Sequence, residues 1–234
     1  VHKVLQDFFE PLKGQKLMVE HYEQMLLQLP ESIRAAFVAE MDEEDINQGK
    51  NLLTFKGAQQ MVANYLNAEL RMLKSGNHDL VILELEHSLE PLSVSLSGSR
   101  SLYLGGKADR IDILDGVLRV IDYKTGTVKD KELEIETLND ILERDDMGKA
   151  LQLLLYSHLA SRMYPNYPVI AGIVSLRAPS KGLIEFQTSG LSQDYVQQFF
   201  QSLVGQIVDT KLFFSKTDNL KACEYCTFKA ICNR

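Results

Sequence analysis

Asp109, Asp122 and Lys124 have the types and spacing to hold a cation beside a fixed ammonium group. The dipeptide Asp115-Gly116, set between two alternating apolar runs, signals a two-residue hairpin turn. Such a turn places Asp109 opposite Asp122, with Ile111 opposite Val120 and Ile113 opposite Leu118 on the same face. On the other face it sets Asp112 against Arg119 as an opposite-charge pair. Directly paired β carbons lie about 4.5–5.5 Å apart. Two carboxylates that close repel unless one is protonated or a cation sits between them, and an oxygen-rich site of this kind suits magnesium or manganese. Lys124, two residues after Asp122, returns to the same face, where its ammonium would stabilise developing phosphate charge or position a metal-activated water. The plainer alternative is a set of edge-strand charges on a solvated hairpin. Three ionisable groups on an otherwise apolar face are costly without a purpose, and the register keeps the metal site open beside that alternative.

The elements that must position these residues follow from periodicity. Helical patterns run from residue 1 to about 28, through a short acidic stretch at 31 to 47, and from about 54 to 74. Ser75-Gly76-Asn77 stops the last of them. From Leu80 the period changes to two, and VILELEHSLEPLSVSL, SLYLGGKADRIDIL and VLRVIDY read as strands. A charged stretch at 129 to 146 precedes a helix from about 147 to 163, then two strands in YPVIAGIVSL and GLIEFQT, and a helix at about 192 to 211. The expected fold class is α/β, a mixed sheet built around the 102 to 123 hairpin and flanked by helices, in one domain: a helical part at 1–78, a catalytic sheet core at 79–190, and a helix and cysteine tail at 191–234.

GGKADRID, then VIDYKTG, then a helix carrying QLLLY resembles the RecB and AddB branch of the PD-(D/E)XK nucleases. The resemblance extends over most of the chain from His2 to Cys232, although only the motifs are specific. It implies a restriction-endonuclease-like fold and a magnesium- or manganese-dependent deoxyribonuclease of exonuclease type. Asp109, Asp122, His2 and the backbone carbonyl of Tyr123 would hold the metal, and Lys124 would activate water or stabilise charge. Gln152 and Tyr156, four residues apart on one helix face, would orient water or phosphate and contact DNA respectively; without the hairpin they read as a polar rim residue and a core tyrosine. His2 fits the branch's metal-binding histidine better than His21, its competitor, while His78, His87 and His158 are assigned to surface or core. The resemblance further implies a role in recombinational break repair, within a larger AddB-like protein and beside a helicase subunit or an upstream helicase-like domain. The rival readings are a module that has lost catalysis and serves as a DNA-binding or assembly element, and a restriction-type endonuclease.

Cys223, Cys226 and Cys232 crowd the end of the chain. In a cytoplasmic chain, clustered thiols point to metal ligation before disulfides. Their spacing resembles the C-terminal trio of the iron-sulfur staple of AddB and of CRISPR-adaptation nucleases, which implies a 4Fe-4S cluster completed by a fourth thiolate. A zinc site is the alternative. The net charge of −7 argues against a protein that coats nucleic acid through clustered Lys and Arg, but not against an enzyme that concentrates carboxylates around a cation. No run approaches the roughly 20 apolar residues needed to span a bilayer, and no leader opens the chain, so no membrane partner and a cytoplasmic location are expected. The start at Val1, inside a helical pattern, suggests a fragment of a longer polypeptide.

Overall fold

The computed structural model describes all residues except 43–45, 97–100, 145, 189–190, 214, 225 and 234. Three helices come first: α1 (His2–Phe9), α2 (Val19–Val38) and α3 (Gly49–Ser75). Then come strands β1 (Leu80–Ser88), β2 (Leu92–Ser95), β3 (Ser101–Leu104), β4 (Lys107–Leu114), β5 (Val117–Lys124) and β6 (Glu134–Ile135). Helices α4 (Asp140–Glu143) and α5 (Gly148–Met163) lead to β7 (Val169–Ser175), β8 (Leu183–Glu185) and β9 (Gln187–Thr188). Helices α6 (Gln193–Val208) and α7 (Leu220–Cys223) close the chain.

The hairpin forms at its expected register: Ile111 pairs with Val120, Asp112 with Arg119 and Ile113 with Leu118. Asp115 and Gly116 take φ of 52° and 85°, the left-handed pair that a tight hairpin turn requires. The hairpin lies inside a five-stranded sheet of order β1-β4-β5-β7-β8. β5 and β7 are parallel, joined by a crossover containing α5, while the other pairs are antiparallel. β2 with β3 and β6 with β9 form separate two-stranded pieces.

Because β4 and β5 are covered on both sides, both sets of alternate residues are buried. One face packs Ile111, Leu118, Val120 and Ile173 against Leu153 and Leu154 of α5 and Phe200 of α6. The other packs Ile82, Ile121 and Tyr123 against Phe9, Tyr22, Val62 and Leu66 of the three N-terminal helices. The result is a mixed sheet between two helical layers.

The N-terminal helices differ from expectation in where they break. Helix α1 stops after eight residues in a 3-10 turn begun by Glu10 and Pro11, and Gly14 takes φ of 73°. The freed segment hydrogen-bonds to the edge of β1, Gly14 N to Ile82 O and Leu17 N to Leu80 O, both at 2.8 Å. These bonds replace the helical ones that a continuous helix to residue 28 would have made. Conversely α2 runs through Pro30, where packing of buried Leu29 and Ile33 overrides the lost backbone donor. The predicted acidic helix at 31 to 47 is therefore partly the end of α2, and its residues 43–45 lie outside the described ones. No described helix is long and apolar enough to cross a membrane.

Candidate active site

Asp109, Asp122 and Lys124 meet where β5 ends, beside the neighbouring parallel strand β7. Asp109 lies one step beyond the last ladder pair, Arg110 with Ile121, and the alternation leaves it on the same face as Ile111 and Val120. Its Oδ2 accepts a hydrogen bond from the backbone N–H of Tyr123 at 2.6 Å. Burial pushes the Asp109 carboxyl above its usual range; the Tyr123 N–H and His2 oppose that rise, and the charge of Asp122 adds to it.

Asp122 is 4% exposed. Its Oδ1 accepts from Lys124 Nζ at 3.1 Å and from Gln152 Nε2 at 3.0 Å. Its Oδ2 stands 2.8 Å from Lys124 Nζ as an ion pair, yet receives no hydrogen bond of proper geometry. A buried carboxylate oxygen in that condition is expensive, because its lost hydration is only partly replaced. Lys124 keeps about a third of its side chain exposed, so its ammonium faces both the carboxylate and the solvent.

His2 arrives from the start of α1. Its Nε2 lies 3.1 Å from the carbonyl oxygen of Tyr123 and 3.9 Å from Asp109 Oδ2, and its ring stacks on that of Tyr123 at 6.0 Å between centroids. His21 is elsewhere, with Nδ1 accepting from the N–H of Met18 at the start of α2. His78 pairs with Asp115 at the surface, His87 stands near Glu84, and His158 is buried, as the surface-or-core assignment requires.

Gln152 and Tyr156 stand one turn apart on α5. Gln152 Nε2 donates to the Tyr156 hydroxyl at 2.9 Å, and that hydroxyl donates to the carbonyl of Lys107 at 2.8 Å. Tyr156, expected to contact DNA, also has a place in the packing. It is 6% exposed and braces the entry to β4, because its ring fills the place where a Gly106 side chain would be. A β carbon on Gly106 would lie 2.2 Å from Tyr156 Cε1, so the second glycine of GGKADRID is what lets the ring pass beneath the strand.

Two further groups border the carboxylates without having been singled out by sequence. Glu86 takes φ of 48°, after a register slip between Ile82 and Glu84, and its Oε2 pairs with Lys107 Nζ at 2.6 Å. Its charge also reaches Asp109. Nothing in the alternation of β1 marks this residue, since the slip that turns it is a property of pairing with β4.

Two carboxylates, a carbonyl and an imidazole are the donor chemistry of a divalent cation, and the unbonded oxygen of Asp122 suits one. In the arrangement present these donors are engaged with one another and with Lys124. Among the described residues, no group of three or more His, Cys, Asp and Glu side chains is gathered closely enough to hold an ion. The same is true of the tail. Cys223, Cys226 and Cys232 form no disulfide and lie in a largely exposed end of the chain, where the described residues do not gather them into a group of ligands.

The family model for the PD-(D/E)XK nuclease superfamily matches residues 1–233. The chain belongs to that superfamily. The five-stranded mixed sheet between helical layers is consistent with the restriction-endonuclease-like fold expected from the motifs. No curated protein sequence matches the chain. The crystal structure of SSO0001 is similar at 18% identity, covering 98% of this chain and 93% of that one, with a TM-score of 0.34. So low a score carries no argument. Membership makes a nuclease activity the expectation for this nuclease-superfamily chain, and the superfamily generally works with magnesium or manganese.

Proposed function

We propose that the chain hydrolyses DNA phosphodiesters with a divalent metal. The observation that carries this reading is the convergence of Asp109, Asp122, Lys124, His2 and Gln152 at the end of β5, with one buried Asp122 oxygen left without a hydrogen bond. Asp109, Asp122, His2 and the Tyr123 carbonyl are the groups that would hold magnesium or manganese, which when bound supplies an acidified water and polarises the phosphate. The protein's own part is positional and electrostatic. Lys124 carries a fixed positive charge to the solvent edge of Asp122, where an anionic phosphate would lie. Gln152 holds Asp122 Oδ1 from α5 and has its own place set by the Tyr156 hydroxyl.

The motifs GGKADRID and VIDYKTG support an exonuclease of RecB and AddB type in break repair, working beside a helicase. The cysteine spacing supports a 4Fe-4S cluster on Cys223, Cys226 and Cys232, for which the fourth thiolate must come from outside these residues; zinc is the alternative. Iron analysis of the full-length protein purified without air tests the cluster, and absence of iron there defeats it. For the main reading, wild type, Asp122→Ala and Lys124→Ala are compared on single- and double-stranded DNA with magnesium or manganese. Loss of cleavage in both variants supports it. Equal cleavage by all three marks the activity as a contaminant's, and DNA binding without cleavage by wild type marks a module that has lost catalysis.

A further inference from the structure

Behind the carboxylates, on the opposite face of the hairpin, lies a buried charge cluster that none of the chemistry above uses. Arg110, next in sequence to Asp109, is fully buried. Its Nε donates to Asp112 Oδ2 at 2.6 Å, and its Nη1 donates to the Tyr65 hydroxyl at 2.8 Å and to Glu69 Oε2 at 3.0 Å. Arg119 also grips Asp112, through Nε at 2.7 Å and Nη2 at 2.8 Å. The Tyr22 hydroxyl of α2 donates to Glu69 at 2.7 Å. Two contacts of Arg110 lead back towards the site. Its guanidinium lies over the ring of Phe9, 4.9 Å from the centroid, and the Tyr123 hydroxyl is 3.5 Å from Nη1 and 2.9 Å from the Tyr65 hydroxyl.

Phe9 and His2 are seven residues apart on α1, two helical turns, and so lie on one face. Tyr123 presents its N–H to Asp109, its carbonyl to His2 and its ring to the imidazole. Both routes from Arg110 therefore end at the same half of the site. We infer that Arg110 is a positioning residue: its buried guanidinium holds α1, through Phe9, and the Tyr123 side chain against one point, and so sets where His2 and the Tyr123 carbonyl stand relative to Asp109. A lysine keeps the charge but not the planar fork or the stacking that reach four elements at once. The inference rests on the reading of Asp109, Asp122, His2 and the Tyr123 carbonyl as a metal-binding group.

Calorimetric titration of the whole chain with manganese, alongside thermal unfolding of the metal-free proteins, tests it. Arg110→Lys is expected to weaken manganese binding about 10- to 100-fold, the usual effect of removing a group that orients metal ligands. Phe9→Leu, which keeps the core filled, is expected to weaken it about threefold, on the scale of one cation–π contact. A merely structural role would lower stability alone, or lower affinity whatever His2 is. The cycle with His2→Ala separates the two, because in that background Phe9→Leu should change manganese affinity no further. Unchanged affinity in Phe9→Leu overturns the inference, as does a loss that persists in full without His2. If Arg110→Lys does not fold, the Phe9 and His2 cycle decides alone. Manganese binding that is absent in wild type, or indifferent to Asp122→Ala, instead defeats the metal-site reading and takes this inference with it.

Discussion

The two faces of the β4–β5 hairpin carry similar numbers of charges and treat them in opposite ways. On one, Arg110, Asp112 and Arg119 are enclosed together with Glu69, so that two positive and two negative groups pair with one another, and of their buried atoms Arg110 Nη2 alone is left without a hydrogen bond. Burial alone would pull Arg110 down, yet Glu69, Tyr65 and Asp112 more than offset it and hold the guanidinium well above its usual value. On the other, burial leaves Asp109 pushed up and one Asp122 oxygen without a hydrogen bond. Opposite charges paired across the layers specify how the layers pack. Charge left short of partners is where a ligand gains most, and it costs the folded chain something to keep.

The largest expected effect separates the two faces by activity. Lys124→Ala should lower the single-turnover rate of DNA cleavage about 10²- to 10³-fold, with Asp122→Ala lower still, and neither should cost much stability. Asp122→Asn sharpens the point: it should abolish cleavage while raising the melting temperature or leaving it unchanged, because the strained charge is gone. A clear drop in melting temperature would mean that Asp122 is as structural as Asp112.

On the paired face the order reverses. Asp112→Ala removes the carboxylate shared by buried Arg110 and part-buried Arg119 and should cost about 3–5 kcal/mol in denaturant unfolding. Gly106→Ala, which drives a methyl into the Tyr156 ring, should cost about 1–3 kcal/mol and move Gln152 with it, lowering cleavage as a secondary effect. At the small end, Lys74→Ala removes the half-exposed ion pair between α3 and Glu23 of α2 and should cost no more than about 1 kcal/mol. A larger loss there would show that burial is not what distinguishes these pairs.

The sequence made the hairpin legible because Asp115-Gly116 determines the turn and the turn determines every facing pair. The same logic identified Asp112 with Arg119 but stopped there. Glu69, Tyr65 and Tyr22 come from helices with no spacing relation to β4, and alternation of charged with apolar residues looks the same whether the charged face meets water or a helical layer. The apolar period runs on through Pro11 and Gly14 and so hides the helix break there, whereas Pro30 is tolerated inside α2 by packing that only the tertiary structure supplies. Sequence spacing brought the cysteines together on paper, but a run of residues with so few buried neighbours has little to gather them in space.

The short segment that leaves α1 and hydrogen-bonds along the outside of β1 has a consequence for solubility. An open sheet margin offers unpaired amide and carbonyl groups to any passing chain. Here Gly14 and Leu17 occupy part of that margin, so the strand next to β4 cannot readily recruit a foreign one. A variant that straightens the segment into helix, such as Gly14→Ala, would uncover that margin and should be recognised first by aggregation on storage.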